Sequence, residues 1–261
     1  MTRPFRRVIF GGSMVYREFG AKNLPTAILL HGGGLAPWSL ASAAKALACE
    51  YHCVLPVLDG HSGADRRFTS IEDNAAEIIE FIESEIGEVE LLHGVSLGGQ
   101  TALEMLSLRP RLCRCAVIES ALCIPSKVTA SLIAPSVKAS YGLTKRKWFA
   151  RLQADYLGIP KERFEDYYRD TCAIIERDMV EFLRANALYE LKPSLRKTGA
   201  RVLAVCGEAE YGFMKRSARL ISESVPNGEC LIIPRLRHGE LSLNKAEKFA
   251  AIAADFCLRE A

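Results

Sequence analysis

Short apolar runs alternate with stretches of helical periodicity along most of the chain, and that alternation restricts the fold more than any other feature. Ala27-Ile28-Leu29-Leu30, Cys53-Val54-Leu55-Pro56-Val57-Leu58, Val89-Glu90-Leu91-Leu92, Cys115-Ala116-Val117-Ile118, Val202-Leu203-Ala204-Val205-Cys206 and Cys230-Leu231-Ile232-Ile233 read as strands. Their polarity barely alternates, which is the pattern of strands covered on both faces. Between them, Trp38 to Cys49 reads as a helix rich in Ala and Leu. Ile71, Ala75, Ile78, Ile82 and Ile86 share one helical face, with Thr69 or Ser70 as the cap and Gly87 as the stop. Thr69 has Glu72 at capping-box spacing. Further helices run through Ala102, Met105 and Leu106, and through Ala246, Phe249, Ala250, Ala253 and Phe256. Strands and helices in this order predict an α/β fold: a mostly parallel sheet with helices on both faces.

The rhythm breaks from about Leu122 to Leu195. That stretch is helical, basic and aromatic, with Tyr141, Trp148, Phe149, Tyr156, Phe164, Tyr167, Tyr168, Phe182 and Tyr189. It reads as a helical cap over the strand ends, most of its aromatics packing the cap's own small core. The expected division is a core of residues 1–121 and 196–261 and a cap insertion of residues 122–195. A chain of 261 residues, 49% of them apolar, can bury a core of that size.

Composition excludes several function classes. A net charge of +3, spread along the chain, gives no nucleic-acid footprint. The densest basic run, Lys145-Arg146-Lys147, reads as a solvated helix face. No apolar stretch reaches membrane-spanning length, and Val8-Ile9-Phe10 is too short to be the apolar part of a signal peptide. A cytoplasmic location is expected, with no membrane and no nucleic acid as partner. The 9 cysteines fit reduced thiols in that compartment. Cys113-Arg-Cys115 has the wrong spacing for a zinc or redox pair, so no metal site is expected.

The chemistry concentrates where strands end. Gly94-Val95-Ser96-Leu97-Gly98 fits G-x-S-x-G between a strand and a helix, the context in which such a turn presents a strained serine. Serine needs a base to take its proton. Of the 5 histidines, His31, His52, His61 and His93 open or enter other elements, whereas His238 follows the last strand in a loop of its own. A carboxylate must then fix the imidazole tautomer. Glu210 and Glu208 after strand Val202–Cys206, and Glu119 after strand Cys115–Ile118, are the candidates. Backbone N–H groups for a developing oxyanion are available in His31-Gly32-Gly33-Gly34 and at Leu97.

With these residues in place, the chain resembles the α/β-hydrolase superfamily over essentially its full length. His31-Gly32-Gly33, Asp59-Gly60-His61-Ser62-Gly63, Gly94-Val95-Ser96-Leu97-Gly98-Gly99 and Arg237-His238-Gly239 carry the resemblance. It implies an eight-stranded sheet, a helical cap inserted after the sixth strand, and a cofactor-free Ser-His-acid mechanism. It also implies an oxyanion hole formed by the amides of Gly33 (or Gly34) and Leu97. The family's acid most often is an Asp in a Gly-x-x-Asp turn; Glu210 stands there in this chain.

The resulting expectation is a serine hydrolase cleaving a small carboxylic ester or thioester through an acyl-Ser96 intermediate, with His238 as base and Glu210 as acid. Acyl transfer or C–C bond hydrolysis would use the same residues. A ligand-binding or receptor protein on this fold, with negligible turnover, is the alternative from another class. The sequence leaves the oligomeric state open.

Overall fold

The computed structural model describes residues 6–10 and 12–258. Eight strands form one sheet in the order β1-β2-β4-β3-β5-β6-β7-β8. These are β1 (Arg6–Phe10), β2 (Gly12–Phe19), β3 (Thr26–Leu30), β4 (His52–Pro56), β5 (Val89–Val95), β6 (Cys113–Glu119), β7 (Arg201–Gly207) and β8 (Asn227–Ile233). The sheet is parallel from β4 to β8, and β2 runs antiparallel to both β1 and β4. The strand-like runs of the sequence are thus β3 to β8. The β1–β2 hairpin escaped the sequence reading. Its signal is the alternation in β2, where Met14 and Tyr16 are buried and Val15 and Arg17 are half-exposed.

Central strands bury both faces because side chains alternate across the sheet. Ile28 and Leu30 of β3 join Leu92 of β5 in one apolar cluster, against α2 (Ile71–Phe81) and α3 (Leu97–Leu108). Ala27 and Leu29 face the other way, with Leu91, Phe249 and Phe256 and the helices α1 (Ala41–Leu47) and, at the end of the chain, α10 (Ala246–Leu258). Each face alone would strand half of β3 and β5 in water, so helices on both sides follow from the composition of the strands.

Helix α2 begins as its sequence allows, and the structure selects between the two candidate caps. Ser70, not Thr69, is the cap residue, and its hydroxyl accepts the Asp73 N–H at 2.9 Å. The helix widens into a π-turn over Ile82–Ile86 and stops at Gly87, whose φ of +89° favours glycine.

Between β6 and β7 lie α4 (Lys127–Thr144), α5 (Lys147–Tyr156), α6 (Phe164–Ala173) and α7 (Glu176–Leu188). Their aromatics do not form one private core. Phe164 and Tyr167 pack with Ala150, Ala154 and Trp38 in a small cluster. Phe182 and Tyr189 instead enter the main cluster under α2 and α3, and Trp148 and Tyr156 are exposed. No described helix is long and apolar enough to cross a membrane. After β7 come α8 (Gly212–Glu223), then β8, then α9 (Glu240–Asn244).

Candidate active site

Ser96 sits between β5 and α3 at φ +55°, ψ −118°, a conformation that costs an L residue about 1–3 kcal/mol. The surrounding glycines explain how the turn closes. A Cβ on Gly94 would lie 2.2 Å from the Gly98 carbonyl oxygen, and one on Gly98 would lie 2.3 Å from that of Leu30. A Cβ on Gly99 would press on Ala121 at 3.0 Å. Only glycine lets β3, the turn and α3 approach this closely. Leu97 opens α3, so its N–H belongs to the first turn, whose amides have no acceptor within the helix.

His238 lies in the loop between β8 and α9, with its side chain 47% exposed. Its Nδ1 stands 2.8 Å from Glu210 Oε2, and the Glu210 side chain is 1% exposed. An ionised carboxylate only accepts, so the imidazole proton resides on Nδ1 and Nε2 carries the lone pair. Glu210 is held from its other oxygen. Oε1 accepts the Gly207 N–H at 2.7 Å, the Ser120 hydroxyl at 2.8 Å and the Cys206 thiol at 3.2 Å. Burial raises the pKa of this carboxyl, but the bonds from His238, Gly207 and Ser120 outweigh it, leaving the carboxyl below its ordinary value.

The other two carboxylates are engaged elsewhere. Glu208 Oε2 accepts the Arg235 N–H at 3.1 Å. Glu119 is buried and accepts the amides of Leu241 and Ser242 at the start of α9, at 3.0 and 3.2 Å. Burial pushes its pKa up to about 7. The structure therefore brings Glu210 to His238 and leaves Glu119 and Glu208 bonded to main chain.

Ser120 is a residue the sequence reading missed. It follows β6 at φ +52°, donates to Glu210, and accepts the Gly239 N–H at 3.1 Å. It thereby ties the carboxylate to the histidine loop. No local spacing signals this, because Ser120 and Glu210 are 90 residues apart. Its positive φ directly after a strand end is visible only in three dimensions.

The remaining histidines near the glycine loop have structural tasks. His31 accepts the Leu58 N–H on Nε2 and donates from Nδ1 to the Gly32 carbonyl. Burial, then the neighbouring His61, hold it neutral, with a pKa of about 3. His61 donates from Nδ1 to the Asp59 carbonyl and accepts the Gly34 N–H at 2.9 Å on Nε2. Its ring stacks on Phe182 at 4.6 Å, and burial holds its pKa at about 4. The amide of Gly34 is thus occupied. The nearest atoms to a Cβ on Gly33 would be in the side chains of Leu97 and Phe182, at 3.5–3.6 Å, which places Gly33 and Leu97 beside each other.

Gly33, Ser96, Ser120, Glu210 and His238 all line one cavity of about 900 Å³. Leu122, Tyr156, Asn186, Tyr211 and Phe213 add apolar and amide surface from the helical insertion and from the β7–α8 region. Asn186 is fixed by a hydrogen bond from its Nδ2 to Gln100 Oε1 at 2.9 Å, joining α7 to α3.

A sheet of this order, with a strained serine after β5 and a histidine after β8, defines an α/β hydrolase. The sequence matches the alpha/beta hydrolase family over residues 27–252, and the chain belongs to that family. No curated protein matches the chain. Among solved structures it is similar to an enol-lactonase from Burkholderia xenovorans LB400 (TM-score 0.79, 15% identity, covering 98% of this chain and 100% of that one). It is also similar to a bromoperoxidase from Bacillus anthracis (TM-score 0.81, 15% identity, 97% and 99% covered). A thermophilic esterase from Thermogutta terrifontis gives a TM-score of 0.75 at 14% identity, with 96% and 97% covered. At these identities the likeness is one of fold.

Proposed function

We propose that the protein is a serine hydrolase that cleaves a small, partly apolar carboxylic ester or thioester. The observation that carries this reading is the His238–Glu210 bond on the wall of a cavity that the strained Ser96 also lines. In the proposed cycle, Ser96 Oγ attacks the substrate carbonyl carbon while Nε2 of His238 takes its proton. Glu210 remains ionised and stabilises the imidazolium. The tetrahedral oxyanion is bound by the N–H groups of Gly33 and Leu97. Gly33 is preferred over Gly34, whose amide is committed to His61. Collapse expels the alcohol or thiol with the proton from His238 and leaves acyl-Ser96. Water, deprotonated by His238, then releases the acid. Residues 122–195 act as the cap that walls the cavity from water, and a cytoplasmic location accompanies this reading.

The test is covalent labelling with a fluorophosphonate, followed by turnover of p-nitrophenyl esters of increasing acyl length. Label on Ser96 is expected, with kcat reduced by roughly four to six orders of magnitude in Ser96→Ala or His238→Ala and little further in the double variant. Normal esterase activity in purified Ser96→Ala would sink the proposal. Labelling of Ser96 without turnover of any ester would favour acyl transfer or C–C bond hydrolysis.

A further inference from the structure

The cavity wall carries two arginines that the proposed reaction does not use. Arg235 and Arg237 stand on it, flanking the approach to His238 in sequence. Among the described residues neither guanidinium forms an ion pair, whereas Arg67, Arg109, Arg163 and Arg169 are each paired with a carboxylate. Their loop is fixed through its main chain instead. The Arg235 N–H donates to Glu208 Oε2 at 3.1 Å, and the Arg237 N–H donates to Glu240 Oε2 at 2.9 Å. Leu236, between them, is buried, and its carbonyl accepts the Ala209 N–H at 3.0 Å. The neighbouring carboxylates are therefore engaged by amides, and both side chains remain exposed on a rigid support.

The backbone does not account for the arginine at 235. Its φ of +63° disfavours a long L side chain, and glycine or asparagine would sit there with less strain. Two unpaired guanidiniums on one pinned loop make an anion subsite, since the planar fork matches a carboxylate with two parallel N–H donors. Leu122, Phe213 and Met214 line the same cavity and offer apolar surface for a hydrocarbon chain. Both arginines line the cavity that Ser96 and His238 also line, so one small molecule can present a carboxylate to the guanidiniums and an ester carbonyl to Ser96.

The geometry points to a substrate whose acyl chain ends in a carboxylate, a half-ester of a short dicarboxylic acid, with that carboxylate held by Arg235 and Arg237. This inference rests on the hydrolase reading of the site. The matched probes are mono-p-nitrophenyl glutarate and its neutral counterpart, p-nitrophenyl valerate. The wild-type protein should favour the glutarate half-ester in kcat/KM by about tenfold or more, chiefly through KM, as expected for charge-assisted bonds. That ratio should collapse in Arg235→Gln/Arg237→Gln and recover in part in Arg235→Lys/Arg237→Lys, which keeps the charge and the loop. Independently of turnover, calorimetry on Ser96→Ala should show glutarate binding that the added Arg→Gln pair abolishes. Hydrolysis of the valerate ester with no preference for the glutarate one, unchanged by the arginine substitutions, would overturn the subsite and leave the hydrolase reading intact. Arginine-dependent glutarate binding without turnover of either ester would support the subsite and overturn the hydrolase reading.

Discussion

Glu210 shows how a single side chain depends on its partners. Its Oε1 receives an N–H and a hydroxyl, and its Oε2 faces Nδ1 of His238. A glutamine there must turn its carbonyl oxygen toward Gly207 and Ser120, because both donate. Its NH2 group then faces His238 and forces the imidazole proton onto Nε2, where, in the proposed cycle, it blocks the uptake of a proton from Ser96. Glu210→Gln should therefore fold normally and lose roughly two to four orders of magnitude in kcat, measured with the best p-nitrophenyl ester. An unchanged kcat would show that this carboxylate does not set the tautomer.

Two elements are held by contacts that a small substitution would test. At the β5–α3 turn, the 2.2 Å and 2.3 Å distances to carbonyl oxygens leave no room for a methyl group at Gly94 or Gly98. Each Gly→Ala there should lower the melting temperature severely. Gly142 in α4 has nothing within 4 Å of an added Cβ, so Gly142→Ala should stabilise by about 0.5–1 kcal/mol through helix propensity. At the start of α9, the buried Glu119 has a pKa of about 7 against an ordinary 4.5. The folded state then binds the extra proton, so this group contributes stability below about pH 4.5 that is lost as pH rises through about 7. Glu210, held below its ordinary value, acts in the opposite sense, and its contribution is lost as pH falls. Glu119→Gln keeps an acceptor for Leu241 and Ser242 and removes the titration. Its stability relative to wild type should rise between pH 5 and 8 by at most about 3 kcal/mol, read by urea unfolding at each pH. A flat difference across that range would contradict the assignment.

At the scale of the molecule, the helical insertion is clipped to the loops that shape the site. Asp170 on α6 accepts the Trp38 indole N–H at 2.7 Å and the Ser62 hydroxyl at 3.0 Å. Those partners lie beyond β3 and β4, downstream of the glycine loop and of His61. The Arg163 guanidinium adds a bond to the Trp38 carbonyl at 3.1 Å. Asp170→Ala would leave a buried indole N–H and a hydroxyl without their acceptor, costing about 2–4 kcal/mol. Hydrogen exchange should then quicken in α5 and α6 well before it does in β3 and β5. Uniform quickening through the whole chain would mean that insertion and sheet open as one unit.

The strand–helix order, the parallel centre of the sheet, the turn at Ser96 and the interruption after β6 were legible in the amino-acid sequence. All of these rest on local patterns: apolar runs, helical periodicity, and glycines where a backbone must pass close to another. The β1–β2 hairpin was missed because short antiparallel strands near a chain end carry a weaker pattern. The family resemblance put Glu210 at the acid's place, but local pattern left Glu119, Glu208 and Glu210 open, and packing shows which of them meets His238. All three leave strand ends, and only packing shows that Glu119 is taken by the amides of α9 and Glu208 by that of Arg235. The role of Ser120, the engagement of the Gly34 amide by His61, and the entry of Phe182 and Tyr189 into the main core are of the same kind. Each joins residues far apart in the chain, and a hydrogen bond or packing contact at that separation leaves no periodicity for the sequence to display.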